Sequence, residues 1–341
     1  MLALATATPP YVLFQGDVRK EAQRFFGGEP QTERLLPVFD HSGIDRRHFC
    51  VPIEWYREPH DWADRNALYL ENAVSLLEVV ARDCLAEAQL DPTDIDAITV
   101  VSTTGIATPS LDALLMARLG LRRNTERLPI FGLGCAGGVL GLARAAALAR
   151  AAPKSRVLFL VVELCGLSFQ PADRSKSNIV ATALFGDGAA GAIISCRGEG
   201  PVIGASGEHT WPNSLGIMGW EVASGGLKAI FSRDIPSLVR TQLREVAADF
   251  LARNGLSFAD IGAFVCHPGG AKVVAALEDA FELADGTLVE ARRVLRNYGN
   301  MSAPTVLFVL QAMLHKQLRR RMLLTALGPG FSAGFLVLDN R

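Results

Sequence analysis

Three settings in this chain could carry covalent chemistry. In LPIFGLGCAGGVLGLARAAALARAAP, Cys135 falls between a strand-like apolar run and an Ala-rich helical pattern, with Gly132, Gly134, Gly137 and Gly138 around it. The free amides and dipole of a helix start stabilise a thiolate, and such a place or a neighbouring imidazolium can bring a cysteine pKa from about 8.5 to roughly 3.5–7.5. Glycines leave room for a bulky acyl group at the sulfur. By itself the pattern equally describes a buried cysteine in a tight packing turn. In CHPGG, His267 ends a short apolar run and precedes a helix, where strand ends of an α/β sheet face a crevice; a core histidine held by backbone is the alternative. In NYGNMS, Asn300 occupies a Gly-containing turn between two helices. Its amide is a neutral donor suited to an enolate or oxyanion beside the Nε2–H of His267, or else it caps the helical run that begins at Ser302.

The elements that must position these groups alternate between short apolar runs and longer helical periods, the mark of an α/β protein with covered sheets. Strands are expected at 97–102, 128–133, 156–162 and 189–196, and helices at 67–89, 111–119 and 136–151. A second series follows: a strand at 201–208, a helix at 236–254 opened by Asp234 and Pro236, and a strand at 263–266. Helices at 271–281, 288–297 and 303–320 then lead to strands at 322–326 and 334–338 around GPGFS. The chain thus divides into two similar βαβα halves, 1–196 and 197–341, although no repeat shows letter by letter.

Composition narrows the function classes. The chain has 341 residues, 49% of them hydrophobic, and a formal net charge of -1, so it offers no broad field for nucleic acid. The basic run from Lys316 to Arg321 is expected to be one solvated helix face. Glu163 interrupts the longest apolar run, so no membrane span is expected. The start, MLALATATPPYVLFQ, has no basic leader region and is expected to be an extended segment of a cytoplasmic protein. Six cysteines lack C-x-x-C spacing, which argues against zinc and a disulfide framework. There is no G-x-G-x-x-G fingerprint either, so neither metal nor cofactor is expected.

GCAGG, ALFGDGAAG, GLKAIFSRDIP, HPGG, YGNMS and GPGF in this order resemble the type III polyketide synthases, the chalcone synthase-like branch of the thiolase-fold condensing enzymes, from about Ile44 onward. The resemblance implies an αβαβα-layered thiolase-like fold, a homodimer, and acyl-CoA and malonyl-CoA as substrates. It makes Cys135 the acyl-accepting nucleophile, with His267 and Asn300 promoting decarboxylation and holding the enolate. Phe185 matches a gatekeeper phenylalanine between the CoA tunnel and the cavity. A second gatekeeper position carries Ala229, and a usually small cavity position carries Trp220. Cys165 and Ser168 match the cavity floor, and Thr108 stands where plant members often have a larger apolar side chain. Arg46 and Arg47, with Gly270 and Ala271, match CoA contacts. Thr103, Glu163 and Ser302 match positions whose bound water promotes aldol closure in resorcinol-forming relatives, although Glu163 also fits a structural buried carboxylate. Small side chains along such a tunnel imply a medium or long fatty acyl starter, few extensions, and an alkylpyrone or alkylresorcinol product. A ketoacyl-carrier-protein synthase making a single condensation, an enzyme with an aromatic starter and an inactive scaffold of the same fold are the alternatives.

Overall fold

Runs such as AITVV and RVLFLVVEL have no polar face to give to water, so they must be covered on both sides. In the computed structural model, which describes residues 1–28, 30–316 and 320–340, they are central strands of two sheets. The first half runs β1 (Ala3–Ala7), β2 (Tyr11–Phe14), α1 (Gln15–Phe26), α2 (Pro30–Glu33), α3 (Pro37–Asp40), β3 (Arg46–Phe49), α4 (Trp62–Ala88), β4 (Ala97–Val101), α5 (Leu111–Leu119), β5 (Glu126–Ile130), α6 (Gly137–Ala151), β6 (Arg156–Leu164), α7 (Lys176–Leu184) and β7 (Asp187–Ser195). The second runs β8 (Val202–Thr210), β9 (Met218–Ala223), β10 (Gly226–Phe231), α8 (Ile235–Arg253), β11 (Ala263–Cys266), α9 (Ala271–Ala280), α10 (Val289–Tyr298), α11 (Thr305–Leu314), β12 (Arg320–Gly328) and β13 (Ser332–Asn340).

The five-stranded sheet has the order β1-β7-β6-β4-β5 and the four-stranded sheet the order β11-β12-β13-β8. In the first, β4 runs parallel to β5 and β6, while β7 is antiparallel to both β6 and β1. In the second, β11 and β12 are parallel and β13 is antiparallel to β12 and β8. Thus β8, β13, β12 and β11 take the places of β1, β7, β6 and β4, and the halves repeat a topology that their letters do not show. Helices α6 and α11 lie between the sheets, and α6 touches β4, β6 and β7 on one side and β8, β12 and β13 on the other. Outside them, α4 covers β1, β6 and β7, and α8, packed on α9, covers β13, which completes the αβαβα layering. The fold is thiolase-like.

Burial on both sides explains why α6 is made of Ala, Gly and Leu. A Cβ at Gly138 would sit 2.3 Å from the Ala303 carbonyl oxygen, and one at Gly141 would sit 2.6 Å from Val101. The missing side chains let the start of α6, and Cys135 just before it, approach the segment that carries Asn300 and Ser302.

Several expectations are corrected. The strand expected at 128–133 is β5 and stops at Ile130. The helix expected at 303–320 ends at Leu314, because the apolar run after Arg321 is drawn into β12 and its pairing with β13 extends back to Arg320. The basic run is therefore not one helix face. Lys316 pairs with Glu290, Arg321 pairs with Asp339 across the strands at 2.7 Å, and 317–319 lie outside the described residues. The N-terminal extended segment is β1, registered against β7. The β9–β10 hairpin and α1 were not foreseen.

Candidate active site

Three residues after β5, a short helical turn, Gly134–Ala136, carries Cys135 directly into α6. Gly134 has φ +46, and a Cβ there would meet the Pro329 ring at 2.6 Å, so the GPGF turn of the second half presses on the cysteine turn. Cys135 is 6% exposed, and its thiol donates to Ser302 Oγ over 3.4 Å. His267 follows β11, and its backbone N–H donates to the Thr325 carbonyl on β12 at 2.9 Å. The imidazole is buried, with neither ring nitrogen hydrogen-bonded among the described residues. That removes the reading of a backbone-satisfied core histidine.

Asn300 is fixed from four directions. Its N–H donates to Leu184 O (2.8 Å) and its carbonyl accepts from Gly186 N–H (3.0 Å), which ties the turn to the end of α7. Its Oδ1 accepts from Ser302 N–H (2.8 Å) and its Nδ2 donates to Gly269 O (3.2 Å). The amide thus bridges the His267 turn and Ser302, which adopts φ +57, a conformation a non-glycine residue keeps only when its surroundings impose it. The capping alternative fails, because α11 begins at Thr305 after Pro304. Cys135, His267 and Asn300 open on one cleft of about 510 Å³.

Burial sets their charge. It pushes the Cys135 thiol up to about 11, against hydrogen bonds from Ser302 and Asn300 that favour the thiolate, and it pushes the His267 imidazole down to about 4. Burial thus favours the uncharged form of each group, and opposes the thiolate that the helix start and the hydrogen bonds favour.

Gly270 and Ala271 line the cleft as expected, but the two arginines do not. Arg46 is exposed on β3. Arg47 is 1% exposed and structural: its Nη1 donates to the Thr182 and Phe185 carbonyls at 2.7 and 2.6 Å, and its Nη2 donates to Gln15 Oε1 at 2.8 Å. The cations that line the cleft are Arg34, Lys176, Arg233 and Lys272, with His41 beside them. They were missed because they come from separated segments and form no run in the sequence.

A second, narrow cavity of about 60 Å³ lies against Phe185, Cys165, Ser168 and Ala229. Trp220 is the direct cross-strand partner of Ala229 in the β9–β10 hairpin. Its ring lies 5.8 Å from that of Phe185, and the ring of Phe231, which sequence reasoning did not single out, lies 5.4 Å from that of Phe185. The large and small residues at 220 and 229 are thus two faces of one arrangement, in which the indole covers the space left by the alanine. Phe231 lines the cleft and Phe185 the inner cavity, so the rings form a partition between them. Thr108 is exposed on the loop before α5 and is not among the residues lining either space of this chain.

Thr103 and Glu163 are joined, since Glu163 Oε2 accepts from Thr103 N–H (3.0 Å) and from the Thr104 hydroxyl (2.8 Å). Ser302 bonds instead to Cys135 and Asn300, so the three residues are neighbours of the cysteine turn rather than one hydrogen-bonded unit. Burial raises Glu163 to about 7. A carboxyl raised in the folded state costs nothing below its unfolded pKa, destabilises progressively as pH rises from the unfolded value to the folded one, and levels off above it, at about 3 kcal/mol here. Glu163→Gln is therefore expected to gain stability relative to wild type between pH 4.5 and pH 8. Urea unfolding at both pH values measures it, and an equal difference at the two would refute it.

The chalcone and stilbene synthase N-terminal domain model matches residues 1–198 and the C-terminal domain model residues 203–338. The chain is 39% identical to a 1,3,6,8-tetrahydroxynaphthalene synthase of Streptomyces peucetius subsp. caesius, over 98% of this chain and 92% of that one. It is 27% identical to an alpha-pyrone synthesis polyketide synthase-like protein of Mycobacterium tuberculosis, over 98% and 90%. The crystal structure of 1,3,6,8-tetrahydroxynaphthalene synthase from Streptomyces coelicolor A3(2), a bacterial type III polyketide synthase, superposes with a TM-score of 0.95 at 28% identity, covering 99% of this chain and 98% of that one.

Proposed function

Because this chain belongs to the chalcone and stilbene synthase family and is a type III polyketide synthase, we propose that Cys135 carries its acyl intermediate and that His267 and Asn300 hold its enolate. The observation that supports this best is the meeting of all three side chains on one cleft. His267 takes the Cys135 proton as the sulfur attacks the starter thioester, and returns it to the departing CoA thiolate. Malonyl-CoA then loses carbon dioxide, and the electron pair of the broken C–C bond moves onto the thioester oxygen, which accepts from His267 and from the second N–H of Asn300 Nδ2. The enolate carbon attacks the acyl-cysteine carbonyl, and the Cys135 thiolate leaves. Arg34, Lys176, Arg233 and Lys272 are placed to meet the phosphates of CoA.

The starter we propose is a medium or long fatty acyl group, its tail entering past Phe185 into the inner cavity, which must open beyond its about 60 Å³ to take it, with few extensions and release as an alkylpyrone or alkylresorcinol. The cavity's largely apolar wall supports this, since each buried methylene contributes about 0.8 kcal/mol. A twelve-carbon acyl-CoA is expected to exceed coumaroyl-CoA in kcat/KM by at least about tenfold, and Cys165→Trp, which fills the cavity, to abolish that preference. Equal use of the two starters, or an unaltered preference in the blocked variant, would sink the assignment.

A homodimer belongs to the same reading. It is supported by β5, which among the described residues pairs only with β4, and by the exposed Phe131 that directly follows it, 62% accessible; an unpaired edge with an apolar neighbour invites a second copy. Sedimentation showing a 36.6 kDa species at micromolar concentration would count against it. No helix among the described residues is long and apolar enough to cross a membrane.

A further inference from the structure

Toward β2 and α1 the inner cavity is lined by Leu13, Val18, Ala22 and Phe25, and by Glu21, whose carboxylate is paired with Arg24 and Arg57. Two buried donors stand apart. The Tyr56 hydroxyl and the Arg47 Nε–H belong to residues lining this same cavity, and neither has a hydrogen-bond partner among the described residues. Native interiors leave few such groups unpaired, and each asks for a partner. The polar groups around them are already engaged. Asp187 accepts from Cys50 N–H at 2.9 Å on one oxygen and from Gly166 N–H at 2.7 Å on the other, and the terminal nitrogens of Arg47 serve Gln15, Thr182 and Phe185. Tyr56 is held rigidly, its ring edge-on to Phe49, Trp55 and Phe169 at 6.1, 5.2 and 5.7 Å. Its hydroxyl lies at the Cys165 end of the cavity, where a Cβ on Gly166 would stand 2.7 Å from it. A largely apolar pocket whose lining residues carry two unpaired donors, the Tyr56 hydroxyl among them at the Cys165 end, fits a ligand that is mostly hydrocarbon and carries an acceptor oxygen.

We propose that Tyr56, with Arg47 Nε–H beside it, holds a keto oxygen of the extended chain while the apolar starter tail lies toward α1. This rests on the reading that the starter tail occupies the inner cavity, and it adds what the cavity does after condensation. A freshly loaded fatty acyl chain has no oxygen beyond its thioester. Only after extension does the chain present a keto oxygen to Tyr56, so the residue positions the extended intermediate and biases how many condensations precede ring closure.

Tyr56→Phe tests this, since it removes one oxygen atom and keeps the ring and its packing. The ratio of longer to shorter polyketide products, measured by mass, is expected to shift by about five- to tenfold, the worth of one hydrogen bond. Single-turnover acylation of Cys135 by the same starter gives the reference for a general loss of activity, and is expected to stay within about twofold. A wild-type product ratio in Tyr56→Phe overturns the proposal, as does faster use of bare alkyl starters with no change in ratio, which would mean that the cavity takes hydrocarbon alone. The starter reading fails separately, if the unmodified enzyme rejects fatty acyl-CoAs; the product ratio is then read with whichever starter it accepts.

Discussion

Cys135→Ala is expected to reduce product formation by at least about a thousandfold, to the level of an enzyme without its nucleophile. The fold should survive, because hydrogen bonds to sulfur, here with Ser302 and Asn300, are weak, and an alanine fits the same buried turn. A melting temperature within a few degrees of wild type, with no acyl adduct on the intact protein by mass, is the expected pair of results. Product formation near wild type would place the nucleophile elsewhere, with Cys165 the next residue to examine. The chemistry of the thiol can be followed separately. Since burial pushes it up to about 11 and pushes His267 down to about 4, iodoacetamide should alkylate Cys135 slowly at pH 7 and faster with each step upward in pH. An alkylation rate already level below pH 7 would mean that the pair rests as thiolate and imidazolium.

Asn300→Ala and His267→Gln are expected to lower malonyl-CoA decarboxylation by about 10²–10³-fold, the usual cost of removing one donor from an oxyanion. Acyl loading should fall less in both, and least in Asn300→Ala, because Asn300 is assigned only to the enolate. The split between the two steps distinguishes this from structural damage. Asn300 also ties Gly269 O to Ser302 N–H, so its loss should cost on the order of 1–3 kcal/mol of stability, which would lower both steps together if that were its whole role. An Asn300→Ala protein that decarboxylates at the wild-type rate would return the residue to a purely structural part.

How far the letters reached depends on the distance over which each feature is decided. The nucleophile turn was legible because its signal is local: glycines on either side of Cys135 and a helical pattern immediately after it. His267 was legible for the same reason, as a histidine between a strand and a Gly-Gly turn. Strand and helix existence followed from apolar periodicity, and α5 and β11 fall where expected. The late helix, which ends at Leu314, fell short because local pattern could not weigh its continuation against the cross-strand pairing of Arg321 with Asp339.

Arg47 shows the limit most plainly. As one of two consecutive arginines it looked like a phosphate ligand, yet three long-range hydrogen bonds, to residues 15, 182 and 185, make it a buried brace. Trp220 and Ala229 seemed two unrelated departures until the hairpin register set them opposite each other. The cationic lining of the cleft, the ring partition around Phe185 and the unpartnered Tyr56 hydroxyl are equally invisible in the chain, since each is made by residues far apart in sequence. Residue types and spacing were enough to show which chemistry is available, an α/β scaffold with a cysteine, a histidine and an amide on turns. How burial bears on their charge, and what surrounds them, came from the fold, because desolvation and packing belong to the folded volume around a residue and not to its neighbours along the chain.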